Sequence, residues 1–386
     1  MTGPVGFPRQ LLAIAALFSL LGFQYSTWAS RIPALADRMD LDPREVGLLL
    51  LATGVGAAGS FPLVRYLMRR LGSRDLACLS GLLLGGVLIA LSATPSFAVA
   101  LVVMAFDGVV VACLNVAMNA QGAALEVRHG RNAMARLHAT FSGGSLVAAL
   151  VASAVTSVTE DLWVHFGIAL VVVLALLALA RPALLTSDIE PEEKPRRGRF
   201  ALPAAATLWL GAAMVFGTIT EGAMNDWSAL YLEDIAQAPA SLAPLGIAVV
   251  SAMMLVARLF ADGWRTRFGD GAVVRVGATL AGIGLAAALL IGGVVPALIG
   301  FACVGLGIAA VTPCVYVAAA RQGSDALTLV AAMGVTGLLG GPPIIGFVAG
   351  AGNLAWGMAV VAVSALVVAV CALRIHWPTR AVAPVE

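Results

Sequence analysis

Long apolar stretches alternate with short polar connections along the whole chain. Divided at charges, prolines and turns, the first half contains six such stretches, at about 11–32, 46–68, 75–94, 97–121, 137–159 and 163–185. The second half contains six more, at about 203–230, 243–265, 272–294, 295–319, 326–350 and 353–375. A helix needs about 20 apolar residues to cross a hydrocarbon core about 30 Å thick. The pattern therefore predicts an all-α integral membrane protein with twelve transmembrane helices.

The two halves repeat each other at a nearly constant offset. Trp28 and Trp227 are 199 residues apart, and Gly108 and Gly305 are 197 apart. Such a repeat predicts two six-helix bundles related by a pseudo-twofold axis, with a solute site between them near the membrane midplane. Along the chain, an N-terminal bundle, a cytoplasmic linker and a C-terminal bundle are expected at residues 1–185, 186–202 and 203–386.

Basic residues predict the orientation of the spans. If both termini are cytoplasmic, only Arg31, Arg38 and Arg44 of the 23 lysines and arginines fall on the outer side. Short loops rich in lysine and arginine stay in the cytoplasm. The chain is therefore expected in a bacterial inner membrane with both ends inside, and the two faces are called the predicted inner and outer sides below.

Composition agrees with a chain surrounded by lipid. Hydrophobic residues make up 60% of it and charged residues 11%, against about 25% charged residues in soluble domains. A net charge of +2 gives no support to nucleic-acid binding. The five cysteines lie scattered in apolar runs, and nucleotide-binding, zinc-protease and hydrolase motifs are absent from the sequence. We expect a monomer without enzymatic activity, metal or cofactor, whose partners are lipid, protons and a small-molecule solute.

Five sequence strings resemble those of a transporter family. They are WASRIP at 28–33, NVAMNAQG at 115–122, HATFSGG at 138–144, EGAMNDWSALYL at 221–232 and GGPPIIG at 340–346. On these strings the chain resembles the major facilitator superfamily, and within it the fucose-permease-like (FHS) branch with the YbjJ-like inner-membrane proteins. The resemblance implies alternating-access transport of a sugar-like solute, with an acidic residue of the fourth span used for proton coupling.

Asp107 is the deepest carboxylate in the predicted spans. It lies ten residues into the fourth span, or about 15 Å from the predicted outer end at 1.5 Å per residue. Placing a charged side chain in the hydrocarbon core costs roughly several kcal/mol of free energy, unless the side chain faces a cavity or a partner of opposite charge. Because a carboxyl group without water binds a proton more readily, Asp107 is a candidate for proton coupling. The alternative is a neutral carboxyl group that only fixes helix packing.

The first span offers polar groups but no acidic residue. Gln24, Trp28 and Arg31 share one helical face. Gln24 can hydrogen-bond to a hydroxylated solute and Trp28 can pack against a sugar ring, although a tryptophan at this depth can also belong to an interfacial belt. Since the fucose-permease pattern has an acidic residue in this span, its absence weakens the transfer of that family's proton mechanism.

The seventh span carries a polar stripe of Thr218, Glu221, Asn225 and Ser228. We expect Glu221 to face the cavity, as a ligand for solute or proton, with Asn225 beside it. Asp226 points about 140° away from Glu221 at 100° per residue. Arg31 is expected to pair with Glu221 or Asp226 and close an outer gate; alternatively, Asp226 caps the outer end of the helix.

The inner half of the path is expected between the fourth and tenth spans. The candidate solute ligands there are Asn115, Asn119, Thr312 and Tyr316. Asn119 is equally explained as a hydrogen bond that holds two helices together.

Three further charged residues are candidates for an inner gate. Glu126 lies near Arg128, Arg131 and Arg136 in sequence and is expected to form an ion pair there. Arg258 and Asp262 are four residues apart and could lock the gate, or form an ordinary helix-surface pair.

Three functions stay open on the sequence. The first is proton-coupled transport of a small polar solute. The second is efflux of amphipathic compounds, which the apolar character of spans 1 and 7 and the 12 methionines favour. The third is a membrane receptor or scaffold that transports nothing.

Overall fold

The computed structural model describes residues 6–131, 133–186 and 205–377, and these residues form fourteen α-helices and one short 3-10 turn. In the first half, the helices are α1 (Phe7–Ala29), α2 (Ile32–Met39), α3 (Pro43–Gly59), α4 (Phe61–Ala93), α5 (Phe97–His129), α6 (Met134–Thr156) and α7 (Leu162–Ala180). In the second half, they are α8 (Ala205–Asp234), α9 (Leu245–Phe268), α10 (Asp270–Ile291), α11 (Val294–Ile308), α12 (Val311–Gln322), α13 (Ser324–Ala351) and α14 (Leu354–Arg374).

Nine helical segments of the described residues are long and apolar enough to cross a membrane. The segments outside this group are α3, which has 17 residues, α8, and α9, whose apolar part is Leu245–Ala261. Helix α8 carries four acidic residues, which lower its hydropathy. With these three helices the count reaches the predicted twelve. Helix α3 and the part of α4 before Gly72 correspond to the second predicted span, and the rest of α4 corresponds to the third.

Gly72 separates the second and third predicted spans inside α4. Its φ of 73° and ψ of 168° are far from helical values and are readily adopted only by glycine. Three predicted spans are interrupted, and the second span is broken at Ser60, between α3 and α4. The first continues after a break at Ser30 as the short helix α2, and the tenth consists of α11 and α12. Pro313 has no backbone N–H to donate to the carbonyl group of Ala309, which contributes to the break in the tenth span.

Helices of the two halves pack mainly within their own half. Helix α1 packs against α6, α3 against α5, and α10 against both α11 and α14. Between the halves, α3 packs against α13, α6 against α9, and α1 and α2 against α8. Most of the predicted linker at 186–202 lies outside the described residues.

Glycines allow close approach at corresponding places in the two halves. A methyl group added to Gly108 of α5 would lie 1.8 Å from the carbonyl oxygen of Thr53 in α3. One added to Gly305 of α11 would lie 2.6 Å from the carbonyl oxygen of Val250 in α9. Thr53 and Val250 are themselves 197 residues apart, so the same helix contact recurs at the offset of the sequence repeat.

Candidate functional site

A cavity of about 290 Å³ lies between the two halves. Helices α1, α3, α5 and α6 line it from the first half, and α8 and α13 line it from the second. Its polar groups include three carboxyl groups, those of Asp107, Glu221 and Asp226. A cavity of this size, with a few polar groups on a mainly apolar wall, is typical of a site for a small molecule.

Asp107 is fully buried beside Gln24. The amide nitrogen Nε2 of Gln24 donates to Oδ1 of Asp107 over 2.9 Å. The second oxygen, Oδ2 of Asp107, has no hydrogen-bond partner, and neither has Oε1 of Gln24. The two polar residues predicted for spans 1 and 4 are therefore brought together. Asp107 lines the cavity, whereas Gln24 supports it from behind.

Asp226 connects the two halves. The hydroxyl group of Tyr25, in α1, donates to Oδ1 of Asp226, in α8. Tyr25 and Asp226 both line the cavity. The helical-wheel argument had placed Asp226 on a face away from Glu221, but a cavity wide enough to span that angle accommodates both. Sequence reasoning missed Tyr25, although a hydroxyl group directly after Gln24 was a signal that could have identified it.

Glu221 forms an ion pair with Arg258. Nη2 of Arg258 lies 3.0 Å from Oε1 of Glu221, and Nη1 donates to the hydroxyl group of Ser142 in α6. Arg258 of the second half therefore contacts both its own half and the first. The predicted partner of Arg258 was Asp262, whose side chain lies outside the described part of the structure.

The other predicted solute ligands divide into two groups. Trp28, Asn115 and Asn225 line the cavity. Nδ2 of Asn119 donates to the backbone carbonyl oxygen and to Oδ1 of Asn115, over 2.7 and 3.0 Å. Asn119 thus contacts Asn115 rather than the cavity.

Thr312 and Tyr316, on α12, are not among the residues that line the cavity. Tyr316 is partly buried against the apolar core. Ser228, the last residue of the polar stripe in α8, is fully buried and does not line the cavity either.

Arg31 and Glu126 have other contacts than the ion pairs expected from the sequence. Arg31 is almost fully buried and donates to the hydroxyl group of Thr156 and to the backbone carbonyl group of Glu160. Helix α1 ends at Ala29, and the turn that follows directs Arg31 towards α6 rather than towards α8. Oε1 of Glu126 accepts the N–H groups of Ala133 and Met134 over 2.6 and 2.8 Å and so caps the start of α6.

A second cavity of about 460 Å³ lies at the predicted outer end and was not anticipated from the sequence. Arg31, Asp37, Glu160 and Glu233 line it. Glu233 lies three residues beyond the predicted end of the seventh span. Burial raises the pKa of its carboxyl group to about 7, and the carboxylates of Asp37 and Asp234 act in the same direction, whereas Arg31 opposes them.

This raised pKa predicts how Glu233 affects stability. Above pH 4.5, the ordinary value, the unfolded chain loses this proton, whereas the folded protein keeps it up to about pH 7. Stability from this group is therefore present at acid pH and is lost as the pH rises to about 7. Glu233→Gln should raise the thermal unfolding midpoint above that of the wild type at alkaline pH and leave it unchanged near pH 4.5. An equal shift at both pH values would contradict this assignment.

Comparisons with known proteins agree with this architecture. The family model of the Major Facilitator Superfamily matches residues 12–326. An uncharacterised MFS-type transporter of Yersinia pestis is 31% identical over 374 residues, which cover 95% of this chain and 96% of the relative.

Solved structures show the same fold. A mutant of the nucleoside transporter NupG superposes with a TM-score of 0.73 at 13% identity, over 96% of this chain and 98% of its own. FucP, a major facilitator transporter solved in the outward conformation, superposes with a TM-score of 0.61 at 16% identity, over 95% and 98%. At these identities the likeness concerns the fold. With the family match over most of its length, the chain belongs to the major facilitator superfamily and is a multi-pass membrane transporter rather than an enzyme.

Proposed function

We propose that the protein moves a small polar solute across the bacterial inner membrane by alternating access, coupled to protons. The observation that carries this proposal is the cavity between the halves, with Asp107, Glu221 and Asp226 on its wall. Buried carboxyl groups inside a membrane protein are costly unless they bind a solute or a proton. Their presence on the wall of one cavity between the halves supports a transport site.

Contacts between the halves support a change of access at the predicted outer side. Nη2 of Arg44, at the start of α3, lies 3.0 Å from the carbonyl oxygen of Gly350, near the end of α13. The hydroxyl group of Ser153 in α6 donates to the carbonyl group of Ser241, and Tyr25 donates to Asp226. All three bonds join the first half to the second on the outer part of the molecule, so they would have to break for the cavity to open outwards.

Asp107 and Glu221 are the proposed proton carriers. Asp107 has only the neutral Gln24 as a hydrogen-bond partner, so its carboxyl group can exchange a proton without breaking an ion pair. Glu221 would exchange its proton together with a change in its ion pair with Arg258. The chain would work as a monomer of two six-helix bundles with cytoplasmic termini. The same proposal places the chain in the fucose-permease-like branch and gives it a sugar-like solute.

Efflux of amphipathic compounds is a second candidate. The cavity wall includes the apolar side chains of Leu21, Leu50, Val111 and Leu338 together with the ring of Phe141. Such a wall accommodates a partly apolar solute. Comparing the drug resistance of deletion and overexpression strains distinguishes efflux from uptake of a polar solute.

Transport driven by a pH difference tests the proposal. A thermal-shift screen of sugars, sugar acids and drugs first identifies a solute, and its uptake is then measured in proteoliposomes. Glu221→Gln leaves Arg258 without its charge partner in a partly exposed pair. A loss of about 1.4 kcal/mol there would lower uptake about tenfold. Asp75→Asn, a change in an exposed carboxyl group of α4, is the matched control and should retain uptake.

Two outcomes would count against the proposal. Uptake that is indifferent to the pH difference in the wild type would remove proton coupling. If solutes stabilise the purified protein but none is transported, a receptor becomes the better description.

A further inference from the structure

The charges around the cavity are unbalanced. Among the described residues that line it, three carry carboxyl groups and none is a lysine, arginine or histidine. Arg258, behind the wall, forms an ion pair with Glu221. Asp107 and Asp226 have only neutral hydrogen-bond donors, the amide of Gln24 and the hydroxyl group of Tyr25. Two carboxyl groups on the wall therefore lack a positive partner.

Several buried polar atoms at the cavity have no hydrogen-bond partner among the described residues. Asp107 is 0% exposed, yet its Oδ2 has no donor, and neither has the buried Oε1 of Gln24. The hydroxyl group of Thr53, which can donate or accept, and the donor Nε1 of Trp28 also have no partner on the same cavity. A buried acceptor without a donor costs about 1–3 kcal/mol. Beside Asp107, the groups without a partner are acceptors once its carboxyl group is ionised, and a ligand that supplies donors there would satisfy them.

An ammonium group fits this need better than a hydroxyl group. It carries three N–H donors and no acceptor, whereas each hydroxyl group brings acceptor lone pairs together with its one donor. It also brings the positive charge that Asp107 and Asp226 lack. The rings of Tyr25, Trp28 and Phe141 line the same cavity, and aromatic faces attract cations.

We propose that the solute is a small organic cation whose protonated amine binds Asp107 and Asp226 in exchange for one proton. This inference rests on the proposed transport function and names the class of its solute. In the exchange, a neutral carboxyl group of the protein loses its proton to water while the ammonium group takes a place beside the resulting carboxylate. One positive charge enters and one leaves, so the net charge of the cavity is unchanged.

The groups that face Asp107 determine the pH dependence of this exchange. Gln24 on α1 donates to Asp107, and Tyr25 on α1 interacts with Asp107, Glu221 and Asp226. Further away, Arg258 on α9 pairs with Glu221, and His138 on α6 interacts with Arg258. Cation and proton compete for the same oxygen atoms and cannot occupy them together. The expected transport is therefore an exchange of solute for proton in opposite directions, rather than movement of both in one direction.

Matched pairs of ligands test the inference on the purified full-length protein. The probes are glucose with glucosamine, galactose with galactosamine, and sorbitol with its 1-amino derivative, together with gluconate as an anion. Their dissociation constants are measured by thermal shift at about pH 8 and about pH 5.5, where the amines stay protonated to different but calculable extents. In weakly buffered solution, a pH indicator records protons released on mixing.

The expected result is tighter binding of at least one amine than of its neutral partner. Below the pH at which the carboxyl group titrates, the affinity of the protein for the amine should weaken about tenfold for each unit by which the pH falls. Its binding at neutral pH should release protons. Asp107→Asn and Asp226→Asn should each weaken the amine at least about tenfold, whereas Asp75→Asn should not. Unfolding midpoints measured without ligand show whether each variant is folded. If a variant does not fold, the pH dependence of amine binding to the wild type still tests the inference.

The inference is overturned if no amine binds more tightly than its neutral partner, or if binding releases no protons. Equal binding of neutral sugars and amines would do so while leaving the proposed transport function intact. Absence of binding by every probe, together with absence of uptake in proteoliposomes, would count against both.

Discussion

With a pH difference of about one unit across a proteoliposome membrane, Asp107→Asn is expected to lower the solute accumulation ratio from about tenfold to about one. One pH unit supplies about 1.4 kcal/mol per proton exchanged, which corresponds to a tenfold concentration ratio. Asparagine has nearly the same shape and can still accept from Nε2 of Gln24 through its side-chain oxygen, but it has no proton to release. The substitution therefore removes the proton-exchanging group while preserving the hydrogen bond.

Two comparisons make this prediction specific. Asp107→Glu keeps a carboxyl group and should retain part of the accumulation, whereas Asp75→Asn should retain all of it. If Asp107→Asn still accumulates solute tenfold, Asp107 only holds α1 and α5 together, and Glu221 or Asp226 becomes the proton carrier.

Gly108→Ala and Gly305→Ala are expected to destabilise the protein by a thermal shift of at least about 5 °C each. In each case the new methyl group would overlap a backbone carbonyl oxygen of a neighbouring helix, of Thr53 or of Val250. Backbone atoms cannot rotate away as a side chain can, so α5 must separate from α3, or α11 from α9. Thermal unfolding of the detergent-purified protein measures both effects.

Gly86→Ala is the matched control for these two substitutions. Gly86 lies inside α4, is exposed, and has no atom within 4 Å of an added methyl group. Alanine favours a helix over glycine by about 1 kcal/mol, so this variant should be as stable as the wild type or slightly more stable. A comparable loss at all three glycines would show that the close helix contacts are not the cause.

Much of the fold was predictable because hydropathy reports directly on burial in lipid. The sequence repeat also predicted equivalent positions in the two halves, since Gly108 and Gly305 lie at equivalent helix contacts. The break between α1 and α2 was not predicted. The reason is that only two polar residues, Ser30 and Arg31, interrupt the apolar run there, and no glycine marks the end of the helix.

The candidate site was predictable in part. Depth along a helix selected Asp107, and helical spacing selected Glu221 and Asn225, all of which line the cavity. Partners across helices were not predictable, because they depend on helix rotation and on the reach of side chains. Tyr25 with Asp226, Arg258 with Glu221, and Arg31 with Thr156 are examples.

Access to the cavity from both sides of the membrane is the most direct test of the central claim. Asn225→Cys is introduced into a chain whose five native cysteines have been replaced. A membrane-impermeant thiol reagent is then applied to right-side-out and to inside-out vesicles. Asn225 lines the cavity, so a transporter that alternates its access should be labelled from both sides, and solute should protect it in both. Labelling from one side only, with and without solute, would contradict alternating access.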